Sequence, residues 1–104
     1  FTSTVTATNF ILSSDERIKE NIKDFDYNQH IDLDVKTYEL KSEPGVKRTG
    51  VIAQELEVNH PEFVRTDKEG MKSVSYIDLL VAKNAELEAR VLRLEKLINE
   101  KLDI

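Results

Sequence analysis

Along the last quarter of the chain, residues of one kind return every seven positions. Ile77, Asn84, Val91 and Ile98 form one series, and Leu80, Leu87, Leu94 and Lys101 form a second three places later. These are the a and d positions of a heptad, and they predict a coiled-coil helix from residue 76 to residue 104. Lys83 and Arg90 fall at g, with Glu88 and Glu95 at the following e, so ion pairs between parallel neighbours are expected. Asn84 at an a position costs stability and fixes register. Leu92, Leu97 and Leu102 lie off the seam and predict a second contact surface on the same helix.

Upstream the periods are shorter. Ile31, Leu33 and Val35 alternate with Asp32, Asp34 and Lys36, which predicts a half-buried strand running toward Tyr38-Glu39-Leu40. Ser42-Glu43-Pro44-Gly45 reads as a turn in which Gly supplies a positive φ. Arg48 to Ala53 reads as a strand, with Gly50 allowing close approach of another backbone. Gln54 to Val58 reads as a helical turn stopped before Pro61. Phe63-Val64-Arg65-Thr66 and Met71-Lys72-Ser73-Val74-Ser75 flank Asp67-Lys68-Glu69-Gly70, the pattern of a hairpin. Ile18, Ile22 and Phe25 recur at helical spacing and predict a short helix to about Lys23. In residues 1–12, Thr2, Thr4, Thr6 and Thr8 alternate against Val5 and Ala7, so a strand-like lead-in competes with a disordered tail. The fold class expected is α+β: a small mixed body of short strands and helices, followed by one long helix.

Composition narrows the functions. With 104 residues there is at most one domain, and the lead-in and terminal helix leave only about 60 for a body, a size at which a monomeric core is marginal. Charged residues at 34% against 39% hydrophobic ones point to a chain that finishes its burial in an oligomer. The absence of cysteine removes thiolate and disulfide chemistry. His30 and His60 stand alone without metal-ligand spacing, so no metal and no cofactor is expected. A net charge of −5 argues against a nucleic-acid partner. No apolar run reaches the ~20 residues of a membrane span, and no signal peptide is visible. Phe1 stands where a start methionine would, so the chain reads as a piece of a longer protein.

One stretch carries chemistry. Ser14-Asp15-Glu16-Arg17-Ile18-Lys19 holds a serine and a lysine five residues apart. A neutral lysine amine can take the proton of a serine hydroxyl and make it a nucleophile. At pH 7 roughly one free lysine in 2,500 is neutral, so such a base requires burial away from water. On a continuous helix, residues five apart differ by about 140° around the axis. Ser14 must therefore stand in extended or turn conformation ahead of the helix, with Lys19 reaching back, or the lysine must come from a neighbouring chain. Asp15 should point elsewhere, because a carboxylate beside Lys19 would hold its proton. The competing reading is a helix start, a capping box with Ser13 as N-cap and Glu16 at N3.

Ser14 to Ile22 resembles the opening of the C-terminal intramolecular chaperone of bacteriophage tailspikes and tail fibres, the endosialidase type. Three further blocks resemble that family in the same order: Tyr38-Glu39-Leu40, then Gly50-Val51-Ile52-Ala53-Gln54-Glu55-Leu56 with Pro61 beyond, then Val74-Ser75-Tyr76 before the leucine-rich helix. The resemblance implies a homotrimer that folds the stem of its own polypeptide and then cuts itself free, with no cofactor, nucleic acid or membrane. Ser14 and Lys19 would be catalytic, and the bond cut would be Ser13–Ser14. Asp15, Arg17, Asn21, Gln54 and Glu55 match the family blocks and are expected to form a supporting polar network. The chain would then divide into residues 1–13 as the end of a fibre stem, 14–75 as the chaperone body and 76–104 as the coiled-coil helix. It would act in the cytoplasm of a bacterial host during virion assembly, with the parent protein in the virion tail. The oxyanion donors are open, with backbone N–H groups near Gly50 one guess. Two rivals remain: a trimerisation or receptor-contact knob that never cuts, and a related cleavage module in a membrane-tethered eukaryotic transcription factor.

Overall fold

The structure, a computed structural model, describes residues 6–102. Four short strands and two helices follow one another as β1 (Lys36–Glu39), β2 (Lys47–Gly50), α1 (Ala53–Asn59), β3 (Val64–Thr66), β4 (Lys72–Val74) and α2 (Tyr76–Leu102). The strands make two separate antiparallel pairs, β1 with β2 and β3 with β4. This is the expected small mixed α+β body with a long terminal helix.

Both hairpins close where the turn chemistry predicts. Between β1 and β2 the Val46 N–H donates to the Glu43 carbonyl at 3.2 Å, and Gly45 sits at φ +85°. A positive φ after Pro44 is the geometry that a side chain with a Cβ would resist. In the second hairpin the Asp67 carboxylate accepts from the Glu69 and Met71 N–H groups, both at 2.9 Å. That carboxylate replaces backbone partners inside the turn. Lys72 then ties this hairpin to α1 through Glu57 at 3.0 Å.

Three expectations change. The helix expected from Ser14 to Lys23 is one 3-10 turn, Glu16–Ile18. Ile18 and Ile22 are exposed, and a short helix that buries nothing is not stable by itself. Asn21 stands at φ 52°, in the left-handed region, which also interrupts any continuation. The strand expected from Ile31 is confined to Lys36–Glu39, because the stretch before it has no partner strand. The strand-like lead-in is absent from residues 6–13, which are irregular and exposed, while Thr2, Thr4 and Val5 lie outside the described residues.

The core is small: Ile31, Leu56, Phe63, Leu79 and Ala82 are buried, with Phe25, Leu33, Val51, Val64 and Val74 packed around them. Helix α2 meets this core through Leu79, Ala82 and Glu86. At about 100° per residue these positions lie about 140° around the axis from the a/d seam. The seam residues Ile77, Leu80, Leu87, Val91, Leu94 and Ile98 all remain exposed. One helix therefore carries two stripes, one used within the chain and one unused. The accessible surface is 9394 Å², where a compact folded chain of this mass exposes roughly 6,000 Å².

Glu86 fastens the two parts of the body. Its side chain is 1% exposed, and it accepts from the Ile31 N–H at 3.0 Å and from Lys83 Nζ at 3.0 Å. Lys83 also donates to the Ile31 carbonyl, so α2 grips both polar groups of one buried backbone residue. Arg90 Nη1 stands 3.7 Å from the same carboxylate. The cations expected to bridge neighbouring chains are thus turned toward a partner on their own helix. The Ile31 N–H holds the Glu86 carboxyl below the usual carboxylate range, against its burial, and Lys83 and the nearby His30 add to the effect. A lowered folded value means that this carboxylate stabilises the fold above the ordinary glutamate pKa. The contribution disappears as pH falls through the lowered value. Glu86→Gln is accordingly expected to be less stable than the parent at neutral pH, with the gap closing on acidification. Thermal midpoints from about pH 7 down to about pH 3 would show this, and a constant gap would contradict it.

Candidate functional site

The turn that carries Ser14 and Lys19 is built by Asp15. This residue is extended, at φ −65° and ψ 137°, and its Oδ1 accepts from the Arg17 N–H at 2.9 Å. Its two oxygens also pair with the Arg17 guanidinium, Nε to Oδ1 at 3.1 Å and Nη2 to Oδ2 at 2.9 Å. The Arg17 side chain thereby holds the Asp15 carboxyl below its ordinary range. Backbone bonds close the turn, from the Ile18 N–H to the Asp15 carbonyl at 3.1 Å and from the Lys19 N–H to the Glu16 carbonyl at 3.0 Å.

Ser14 stands just ahead of this turn and Lys19 just after it, extended again at φ −112° and ψ 145°. A single tight turn leaves the two ends near each other, as a longer helix would not. Lys19 Nζ donates to Ser14 Oγ at 2.9 Å, within one chain. Asp15 caps the turn and commits both of its oxygens to Arg17. The cap is Asp15 and neither Ser13 nor Ser14. Both hydroxyls are therefore left without a capping task.

One condition for chemistry is unmet in the single chain. A base that receives the serine proton needs a site away from water. Residues 6–24 are exposed throughout, so water surrounds the pair. Large apolar side chains crowd the same arm: Phe10, Ile11, Leu12, Ile18 and Ile22 all face solvent.

The supporting polar residues fall into two groups. Asp15 and Arg17 pair with each other, and Asn21 makes the left-handed bend that follows. Gln54 and Glu55 lie in the first turn of α1, where Glu55 stands 3.6 Å from Lys36. Gly50 admits side chains where a backbone was expected: a Cβ there would meet the Tyr76 hydroxyl, and the Tyr38 hydroxyl at 2.9 Å. The Val51 N–H next to it donates to Tyr76 Oη at 3.0 Å. That N–H is thereby committed and cannot serve as an oxyanion donor without releasing the tyrosine.

Glu86 is the residue that reading the sequence missed. Its signal lay in a second stripe, Leu79, Ala82, Glu86 and Ala89, at steps of three and four. An acid inside an otherwise small and apolar stripe points to a buried partner on another segment. Among the described residues no cluster of His, Cys, Asp and Glu is placed to hold a metal ion, and no helix is long and apolar enough to cross a membrane.

No curated protein and no solved structure matches the chain. A family model does: the chaperone of endosialidase, named as a peptidase, matches residues 14–65. The match opens at Ser14, the residue that Lys19 reaches, and runs through both strands of the first hairpin, α1 and the start of β3. Covering half of the chain, it makes this protein a member of the endosialidase chaperone family, with a peptidase-related domain.

Proposed function

We propose that the chain is an intramolecular chaperone that assembles as a parallel homotrimer, folds the phage tail-fibre or tailspike stem joined to it, and releases itself by cutting Ser13–Ser14. The observation that carries this reading is the 2.9 Å contact between Lys19 Nζ and Ser14 Oγ, at the residue where the family match begins. In the reaction the neutral Lys19 amine removes the proton from Ser14 Oγ, which attacks the carbonyl carbon of Ser13. The C–O bond forms, the C–N bond breaks, and the proton passes from Lys19 to the freed amine of Ser14. Water then hydrolyses the ester, leaving Ser13 with a carboxylate and Ser14 with its hydroxyl restored. Nucleophile and target are neighbours in one chain, and such placement can supply roughly 7–11 kcal/mol of barrier lowering.

Assembly supplies what the single chain lacks. The unused a/d stripe of α2 offers the seam, and the large exposed surface supplies the area to be buried. Residues 1–13 would leave with the stem, while 14–75 and the helix from residue 76 stay together as the released chaperone. The setting is the bacterial host cytoplasm while the virion is built.

Incubation of the intact chain, followed by mass spectrometry, tests the cut. The expected products are residues 1–13 and 14–104, and Ser14→Ala is expected to yield neither while Ser13→Ala still cuts. Processing of Ser14→Ala at the parent rate would remove Ser14 as nucleophile. A parent that assembles and never cuts would leave a structural knob at a fibre tip as the better reading.

A further inference from the structure

Beside α1 lies an open groove of about 600 Å³. Leu33, Val51, Leu56 and Val58 give it an apolar floor, and Asp32, Asp34 and Glu55 line it with carboxylates. Lys36 answers part of that charge, at 2.7 Å from Asp34 and 3.6 Å from Glu55. Among the described residues, the basic side chain beside Asp32 is His30, at 3.2 Å. The groove thus combines apolar and acidic lining, and Val58 within it is 78% exposed.

The arm has the complementary character. From Arg17 to Lys23 it carries three cations, Arg17, Lys19 and Lys23, against one acid, Glu20. Arg17 is engaged by Asp15 and Lys19 by Ser14, which leaves Lys23 for an outside partner. Ile18 and Ile22, four residues apart, stand exposed beside it. The chain joins its own body only at Phe25, which packs on the core, so residues 14–24 extend from that body without resting on it.

We infer that the arm of one copy docks in this groove on a second copy, with Ile18 and Ile22 on the apolar floor and Lys23 at Asp32. Exchange of an identical segment around a closed ring is a low-cost way to join copies of one chain. The seating also matters for chemistry. Docking strips water from the turn that holds Ser14 and Lys19, which favours the neutral amine. The carboxylates must meet Lys23 and not Lys19, since an acid beside the base would keep it protonated. The site is therefore completed by a neighbour's surface, although both reacting residues come from one chain. This inference rests on the roles given to Ser14 and Lys19 above.

Mixing two variants tests it. Val58→Arg fills the groove but keeps the arm and the Ser14–Lys19 pair; Ser14→Ala lacks the nucleophile but keeps the groove. Val58→Arg alone is expected to assemble and stay uncut. Refolded together in equal amounts, roughly half of the Val58→Arg chains should be cut, because half of their arms then meet an open groove on the next copy. Cutting of Val58→Arg alone at the parent rate overturns the inference. So does its staying uncut in the mixture, which would mean that each arm uses its own groove. Cutting of the Ser14→Ala chains would instead count against the nucleophile and leave the groove question to the second pair. Should Val58→Arg fail to fold, Lys23→Glu and Asp32→Lys serve in its place. Each is expected to slow the cut at least tenfold and their combination to restore it, and failure of the restoration overturns the inference as well.

Discussion

Exchanging Lys19 for arginine is expected to leave the chain uncut. The substitution keeps the positive charge and a comparable length, so the turn around Asp15 and Arg17 should form as before and the new side chain can still reach Ser14 Oγ. A guanidinium, however, does not give up its proton in proteins and cannot act as a base. Loss of a positioned base costs about 10²- to 10⁴-fold in rate, enough to take the 14–104 product below detection over the time in which the parent is fully cut. Lys19→Ala should behave alike, which separates the need for an amine from the need for a charge. The same requirement fixes the sign of the pH effect in the parent. Only the uncharged amine accepts a proton, so cutting should accelerate as pH rises. A rate that is flat from about pH 5 to 9, or a Lys19→Arg chain cut at the parent rate, would reject lysine as the base.

Leu87→Asp should abolish assembly and leave the fold of the single chain nearly unchanged. Leu87 lies on the exposed seam of α2, away from the stripe of Leu79, Ala82 and Glu86 that packs on the body. In a closed trimer the substitution would gather one carboxylate per chain in an apolar layer, where each buried ion costs several kcal/mol. Light scattering at micromolar concentration, with Ser14→Ala present in both chains so that neither is cut, should give three times the 12.0 kDa of one chain without Leu87→Asp and that single mass with it. The helical signal by circular dichroism should persist in part. Cutting should fall together with assembly, because the variant leaves the turn at Ser14 in water. A Leu87→Asp chain that remains trimeric would show that this stripe is not the interface. A parent of twice the single mass would show instead that Asn84 selects dimers.

What could be read from the sequence follows the range of the interactions involved. The two hairpins were legible because Pro44, Gly45, Asp67 and Gly70 fix their turns with groups a few residues apart. The long helix was legible because its period repeats over 27 residues. The approach of Lys19 to Ser14 was also a local matter, set by one turn and by the preference of Asp15 for Arg17. The helix predicted through Ile22 failed because its apolar face has no surface in the single chain to pack against. Glu86 and Lys83 escaped because their partner, the Ile31 backbone, lies more than fifty residues away. The stripe around Glu86 points to a buried partner, but nothing near either residue in sequence says which segment supplies it.

The stripe that ties α2 to its body ends near Arg90, and the helix continues to Leu102. At 1.5 Å per residue the remainder projects about 18 Å into solvent, with Val91, Leu94 and Ile98 bare along one side. A protruding rod of this kind can collide with its copies before any other part of the molecule does. Were the rods to zip, the remaining pieces would no longer search a dilute solution. Each arm and each groove would be tethered at an effective concentration of the order of millimolar. Contacts too weak to hold two free chains together would then form as though within one molecule. On the proposed function, the free end of the last helix would set the order of events, with chains counted first and the stem shaped and severed afterwards.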